Sequence, residues 1–140
     1  MQQLKESFIN ELRRMDVLSQ VSSVLGWDEQ VNLPESNASS RQRAEQCAAI
    51  AEIRHREFTR IEFREKVEEI EANANPEDEE LTVILHEVRR DLDRATKLPA
   101  EFVSQKAAHE SAAYHAWKDA RAKDDFAAYA PILEKTMQFA

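Results

Sequence analysis

Two segments of the chain begin like a zinc-binding helix. Such a site needs the pattern His-Glu-x-x-His, in which two imidazoles one turn apart hold the cation and the glutamate activates a bound water. The segment His86–Arg90 starts correctly, but its fifth residue is an arginine, whose permanent charge cannot ligate a cation. The segment His109–Ala113 fails at the same position. We therefore predict no catalytic residue and no metal ligand in this chain.

Two other kinds of reactive site are also poorly matched. A di-iron helical bundle needs two Glu-x-x-His units, and only Glu52–His55 fits; arginines flank its histidine and would repel a metal. A solvated or capping role for His55 is the simpler interpretation. Cys47 has no neighbouring histidine that would activate its thiol, so we expect it to be buried and unreactive.

Composition predicts an all-α protein. The 140 residues include one glycine, Gly26, and four prolines, and 33% of them are charged. The net charge of −8 argues against binding to nucleic acid, which relies on clustered cations. No apolar run is long enough for a membrane span, and a lone cysteine is typical of a reducing compartment. We expect a cytoplasmic protein with no membrane partner.

The apolar spacing predicts an antiparallel bundle of about five helices in a single domain, residues 1–140. The first helix carries a stripe from Leu4 to Leu25, with either Leu18 or Val21 in it, and stops before Pro34. The second is one long helix over residues 38–72, unless it breaks in the segment 58–63, where the stripe shifts phase.

Prolines mark the starts of the three remaining predicted helices. Asn75 is expected to cap the third helix with Pro76 at its first position, and Pro99 opens the fourth. After a turn capped within residues 124–126, Pro131 begins the fifth helix.

Two blocks of aromatic, charged and proline residues stand out as candidate structural anchors. In each block a tryptophan lies beside an acid and within reach of an arginine, a combination that can pin helices and a loop together. A ligand platform is the alternative. We expect Trp27 to be buried between the first helix and its neighbours. The candidate anchors are Trp27, Asp28, Pro34, Arg41, Trp117, Arg121, Phe126 and Pro131.

The same blocks carry a resemblance to a known family. The chain resembles the N-terminal part of the carboxypeptidase Taq family of zinc metallocarboxypeptidases, and the resemblance runs along essentially its whole length. Many members have Met-Pro and a glycine where this chain has Leu33-Pro34 and the residues after it, so the loop differs there. The residues that carry the resemblance are Leu25–Gln30, Leu33-Pro34, Arg41, Ala44–Gln46, Ala95–Pro99, Trp117, Ala120-Arg121, Asp125-Phe126, Pro131 and Leu133.

The resemblance implies a helical enzyme that releases C-terminal residues from peptides with zinc or another divalent metal. The metal-binding helix of the family lies beyond the region matched, so no catalytic or metal residue is carried onto this chain, and no cofactor is expected in it. The family's N-terminal helices resemble a wall or lid of a deep substrate groove. Peptide substrate is therefore expected as a partner only of a full-length parent.

Two hypotheses follow from these observations. In the first, the chain is the N-terminal helical domain, or a truncated relative, of such an enzyme and is inactive alone. In the second, it is a stand-alone helical module for protein interaction. Apolar surface left uncovered would drive association in either case, so we expect a homodimer.

Overall fold

The computed structural model describes residues 2–139, which form six α-helices and no β-strand. The all-α prediction is confirmed, with one helix more than expected. None of these helices is both long and apolar enough to cross a lipid bilayer. In chain order they are α1 (Gln2–Val31), α2 (Asn37–Thr59), α3 (Ile61–Asn73), α4 (Glu79–Ala95), α5 (Ala100–Ala122) and α6 (Phe126–Gln138).

The long helix predicted over residues 38–72 is two helices, so the prediction of one continuous helix is wrong. The chain is extended at Arg60, with φ −61° and ψ 148°. Phe58 and Phe63 are five residues apart, and in one helix they would point about 140° away from each other. The extended residue resets the helical phase, so the two rings pack with their centroids 5.6 Å apart and Phe63 stacks on Phe8 of α1.

Side-chain caps fix the starts of three helices. Ser36 accepts a hydrogen bond from the amide of Ser39 at the start of α2. Asp78 caps α4 and Asp125 caps α6 in the same way. A side-chain acceptor satisfies an amide that would otherwise lack a partner in the first helical turn, which explains where these helices begin.

Two predicted helix starts need correction. Asn75 does not cap α4: its side chain accepts from the amide of Glu77 in the preceding turn, and the helix begins only after Asp78. Pro131 does not begin α6 but lies inside it, because the side chain of Asp125 already caps the helix before Phe126. Pro131 therefore removes one main-chain hydrogen bond from α6. The start of α5 agrees with its prediction to within one residue.

Ion pairs and packing show that α1 runs antiparallel to α2 and that α6 folds back on α5. At one end of α1, Asp28 pairs with Arg43 near the start of α2, and toward the other end Glu11 pairs with Arg60 just after α2. The helix α5 packs along α2, and α6 folds back on α5, where His109 bonds the Thr136 hydroxyl at 2.8 Å.

The large apolar side chains are concentrated at one end of the molecule. They come from the first half of α1 and from α3 and α4, whereas the buried residues of α2 and α5 are small or polar: Arg43, His109, Ser111, Ala113 and Ala120. The buried apolar cluster consists of Phe8, Phe63, Val67, Ile70, Leu81, Leu85, Val88 and Leu92.

The chain exposes more surface than a compact protein of its mass. Its accessible area is 9562 Å² at 16.2 kDa. A compact monomer of that mass exposes about 7,500 Å², so roughly 2,000 Å² is in excess. This excess is more than twice the roughly 800 Å² that each partner buries in a standard stable interface.

Candidate functional site

A groove runs between α1 and α5, with α2 as its floor. One end is a cleft of about 510 Å³ that α4 also lines, and beside it lies a second cleft of about 430 Å³. Both are lined by Ala51, Arg54 and Val103. Because they share these residues, the two clefts form one continuous groove.

The larger cleft is lined by both apolar and polar side chains. Leu12, Met15, Phe58, Val88 and Val103 form the apolar part, and the polar groups come from α1, α2 and α4. A groove of this composition suits an extended chain with apolar side chains better than a small charged ligand. The polar side chains that line it are Asp16, Ser19, Arg54, His55, Glu87 and Asp91.

A polar cluster of Glu29, Ser111 and His115 joins the end of α1 to α5; we call it the Glu29 cluster. The Glu29 side chain is 9% exposed, and its Oε1 accepts from the Ser111 hydroxyl and lies 2.9 Å from His115 Nε2. A serine, a histidine and an acid suggest nucleophilic catalysis. However, Ser111 and His115 share one carboxylate oxygen, so the geometry does not place the imidazole as a base for the serine. The cluster positions helices.

A second contact ties the same end of α1 to α2. Arg43 is 7% exposed and donates to the Leu25 carbonyl and to Asp28, both at 2.5 Å, and to Gln46 at 2.9 Å. Hydrogen bonds from Arg43 and from Asn32 lower the pKa of Asp28 below its ordinary value. Asp28 is therefore held ionised at neutral pH.

The single cysteine lies beside this cluster. Cys47 is half-buried on α2 and lines the smaller cleft with Glu29. Burial raises the pKa of its thiol, and the charge of Glu29 raises it further, while Arg43 opposes the shift. A thiol with a raised pKa is a poor nucleophile at neutral pH.

The histidines singled out above lie in separate places. The side chain of His86 is 76% exposed and pairs only with Glu87, whereas His109 is buried against α6, and His55 lies at the groove. Among residues 2–139 no group of three or more histidine, cysteine, aspartate or glutamate side chains is placed to hold a metal ion. The residues described therefore do not fit a catalytic metal.

The prediction that Trp27 is buried is wrong. Trp27 is 60% exposed, and the buried apolar cluster takes its residue of α1 from the other half of the helix, at Phe8. Pro34 and Arg41 are also exposed. Of the first block, only Asp28 makes a contact with another helix of the kind expected from an anchor, through Arg43 rather than Arg41.

The second block comes together at the junction of α5 and α6. One shallow cleft of about 190 Å³ is lined by Trp117, Arg121, Phe126 and Tyr129. Trp117 is 43% exposed and Phe126 is 68% exposed, so neither is a core residue. Pro131 lies on the exposed side of α6.

Comparison with known proteins assigns the family. A model of the carboxypeptidase Taq (M32) metallopeptidase family matches residues 7–140. The chain belongs to this family. The match covers nearly every residue described above, including the groove and the Glu29 cluster.

Two curated relatives of the M32 chain share one name. Thermostable carboxypeptidase 1 of Pyrococcus furiosus is 30% identical over 139 residues, which cover 96% of this chain and 26% of the relative. Thermostable carboxypeptidase 1 of Thermus thermophilus is 27% identical over 125 residues, which cover 88% of this chain and 24% of the relative. The chain thus spans about a quarter of the length of these relatives. No solved structure resembles it closely enough to count as a match.

Sequence reasoning missed the residues that hold this part of the M32 chain together. The predicted anchors did not include Arg43, Glu29, Ser111 or His115. One signal was present for Arg43, which lies one turn before Cys47 and two turns before Ala51 and so shares their face of α2. For Ser111 and His115 the sequence carried no comparable signal, because their partner is distant along the chain.

Proposed function

We propose that this chain is the N-terminal helical region of an M32 metallocarboxypeptidase, that its α1–α5 groove lines one side of the peptide-binding channel, and that it is inactive alone. The catalytic metal, zinc or another divalent cation, is bound by a part of the protein outside these 140 residues. The family match over residues 7–140 carries the proposal. A cytoplasmic location belongs to the same proposal and is supported by the single cysteine.

The exposed surface supports a role as part of a larger protein. The excess of roughly 2,000 Å² over a compact monomer is what a wall of helices has when the rest of its domain is absent. The relatives are about four times as long as this chain. The large apolar cluster at one end also leaves the α2–α5 half without a core of its own.

The chemistry of the two near-matches to a metal motif supports the proposal that the chain is inactive by itself. His86 is followed at the fifth position by Arg90 and His109 by Ala113. Neither segment can supply a second imidazole one turn along the helix, which a catalytic zinc of this type requires.

The activity test compares two peptides that differ only at the C-terminus. One has a free terminal carboxylate and the other is amidated, and each is incubated with the purified chain and Zn²⁺ or Co²⁺. We expect no release of the terminal residue, while the Pyrococcus furiosus relative serves as the positive control. Metal-dependent release from the free peptide by the chain itself would refute inactivity.

The groove is tested in a chimera in which residues 7–140 replace the matching segment of the Pyrococcus furiosus relative. Arg54→Ala removes a cation inside the groove, and Arg56→Ala removes one that pairs with Glu52 on the exposed side of α2. We expect a changed KM only for Arg54→Ala, because only this side chain faces the channel. Equal kinetics for the two variants would reject the groove as a peptide site.

A further inference from the structure

Two neighbouring side chains of α2 bring nitrogen donors to the groove without a partner. Arg54 is half-buried and lines both clefts, and His55 lines the larger one. Within the part of the chain that the structure describes, neither side chain makes a hydrogen bond or an ion pair, and His55 is engaged only at its main-chain carbonyl. The next arginine along α2, Arg56, pairs with Glu52 instead. Arg54 is thus a cation inside the groove that no other group of residues 2–139 neutralises.

The carboxylates of the groove, in contrast, are already engaged by other side chains. Each carboxylate that lines either cleft has a hydrogen-bond or ion-pair partner among the described residues, and in no case is that partner Arg54. The pairs are Asp16 with Gln20, Glu29 with Ser111 and His115, Glu87 and Asp91 with Arg90, and Glu110 with Lys106. A carboxylate for Arg54 therefore has to come from what occupies the groove.

A peptide in the groove changes the surroundings of Arg54. A chain that covers the apolar residues Met15, Phe58 and Val103 displaces water from the same cleft. A guanidinium that loses water without gaining acceptors costs free energy. A carboxylate on the peptide supplies two acceptor oxygens that match the planar N–H donors of an arginine. A peptide that places a carboxylate against Arg54 should therefore bind better than one that does not.

The position of Arg54 decides which carboxylate it meets. Because Arg54 lines both clefts, a peptide that fills both of them continues on either side of it. A terminal carboxylate has chain on one side only and belongs at an end of a groove, whereas a side-chain carboxylate can lie midway. We propose that Arg54, with His55 beside it, binds the acidic side chain of an internal residue of the peptide substrate and selects such peptides. The proposal rests on the proposed function of the groove.

The selectivity is moderate because the site is only half-buried. An exposed ion pair changes affinity about one- to fivefold, and a hydrogen bond to a charged group in a dry site changes it by more than about tenfold. Arg54 lies between these two cases. The other carboxylates of the groove also weaken its attraction for an anion. We expect a preference of about five- to tenfold for glutamate over glutamine at the position that meets Arg54.

The test measures kcat/KM of the chimera described above for short peptides of alanine and serine. One residue is Glu, Gln or Lys, and its position is moved along the peptide. At one internal position, kcat/KM should be highest with Glu and lowest with Lys. Arg54→Ala should abolish the difference between Glu and Gln, and Arg54→Glu should reverse the order of Glu and Lys, which loss of a merely structural residue would not do. The matched control, Arg56→Ala, should keep the original order.

Two outcomes would overturn the selectivity and leave the groove as a peptide site. An equal loss of kcat/KM for all three peptides in Arg54→Ala would show that Arg54 contributes to binding without reading charge. A preference confined to the last residue of the peptide would place Arg54 at the terminal carboxylate. Unchanged kinetics in both Arg54 variants would reject the groove itself and the proposed function with it.

A second measurement does not depend on the chimera or on peptidase activity. Fluorescently labelled peptides with Glu or Gln at the selected position, both amidated at the C-terminus, are titrated with the purified chain, and binding is followed by anisotropy. We expect tighter binding of the Glu peptide, a smaller difference at high salt because ions screen the attraction, and no difference in Arg54→Ala. Circular dichroism checks that the variant is folded. Equal binding of the two peptides by the wild-type chain would contradict the proposal.

Discussion

Removing the Glu29 carboxylate should loosen the end of α1. In Glu29→Ala, the hydroxyl of Ser111, a residue only 6% exposed, loses its acceptor, and His115 loses a partner as well. A hydrogen bond to a charged group contributes about 1.5 to 3 kcal/mol. The side chain of His115 is 20% exposed and can turn toward water, so its loss counts only in part. We expect a total cost of about 2 to 4 kcal/mol in the free energy of unfolding.

Two further variants separate the carboxylate's role from a general surface effect. Glu29→Gln keeps an acceptor oxygen and should cost about 1 kcal/mol. Glu52→Ala removes an exposed carboxylate that pairs with Arg56 one turn away, which should cost about 0.3 to 0.5 kcal/mol. Urea unfolding followed by circular dichroism measures all three, and the Tm of Glu29→Ala should fall by roughly 6 to 12 °C.

Hydrogen exchange locates the effect. In Glu29→Ala the amides of residues 22–31 should lose protection, while those of α3 and α4 keep it, because the apolar cluster is untouched. A Glu29→Ala protein within about 0.5 kcal/mol of the wild type would show that the Glu29 cluster adds no net stability. Uniform loss of protection would instead show that the two ends of the molecule unfold together.

Three further outcomes follow from burial and charge. Trp27→Ala should change stability by no more than about 0.5 kcal/mol, whereas Phe63→Ala should cost about 3 to 5 kcal/mol; equal losses in urea unfolding would contradict the placement of Trp27. Burial alone would raise the pKa of Glu11, but its hydrogen bonds to Lys66 and Arg60 and their charges lower it overall. The stability that Glu11 contributes is therefore present above its ordinary pKa and is lost as the pH falls through the lowered pKa. The Tm of Glu11→Gln should depend less on pH, between neutral and acid, than the Tm of the wild type. An equal dependence of Tm on pH in both proteins would argue against the ion pairs of Glu11. Cys47 should react with iodoacetamide more slowly than a free thiol at mildly alkaline pH, as mass spectrometry can follow, and a rate equal to that of glutathione would argue against a raised pKa.

The sequence predicted the helical class and several boundaries because those depend on local chemistry. The side chain of Ser36 and the ring of Pro99 act within one helical turn, and the structure has helices starting beside both. Pro131 was wrongly predicted to begin a helix, because proline is tolerated at more than one position of a helix. The side chain of Asp125 fixes the start of α6 instead. Local signals compete, and the sequence alone does not rank them.

The burial of Trp27 could not be predicted for a different reason. The helix α1 has two apolar faces, and periodicity identifies both without saying which one the fold covers. The inner face, with Phe8 and Leu12, packs in the buried apolar cluster, whereas Val17, Val24 and Trp27 are exposed. Val21, which the stripe analysis left open against Leu18, lies on the outer face. Which face is covered depends on contacts distant in sequence, which a single helix does not encode.

The two halves of the molecule are stabilised by different forces. The α1–α3–α4 end has a core of large apolar side chains. The hydrophobic stabilisation from their burial does not depend on direction and increases with the apolar area that is buried. The α2–α5–α6 end relies on the hydrogen bonds of Arg43 and Glu29 and leaves Trp117 and Phe126 exposed. Directional bonds position helices well but add little net stability when water can replace them. The second end therefore needs a covering partner more than the first, and it borders the groove where we propose that the peptide binds.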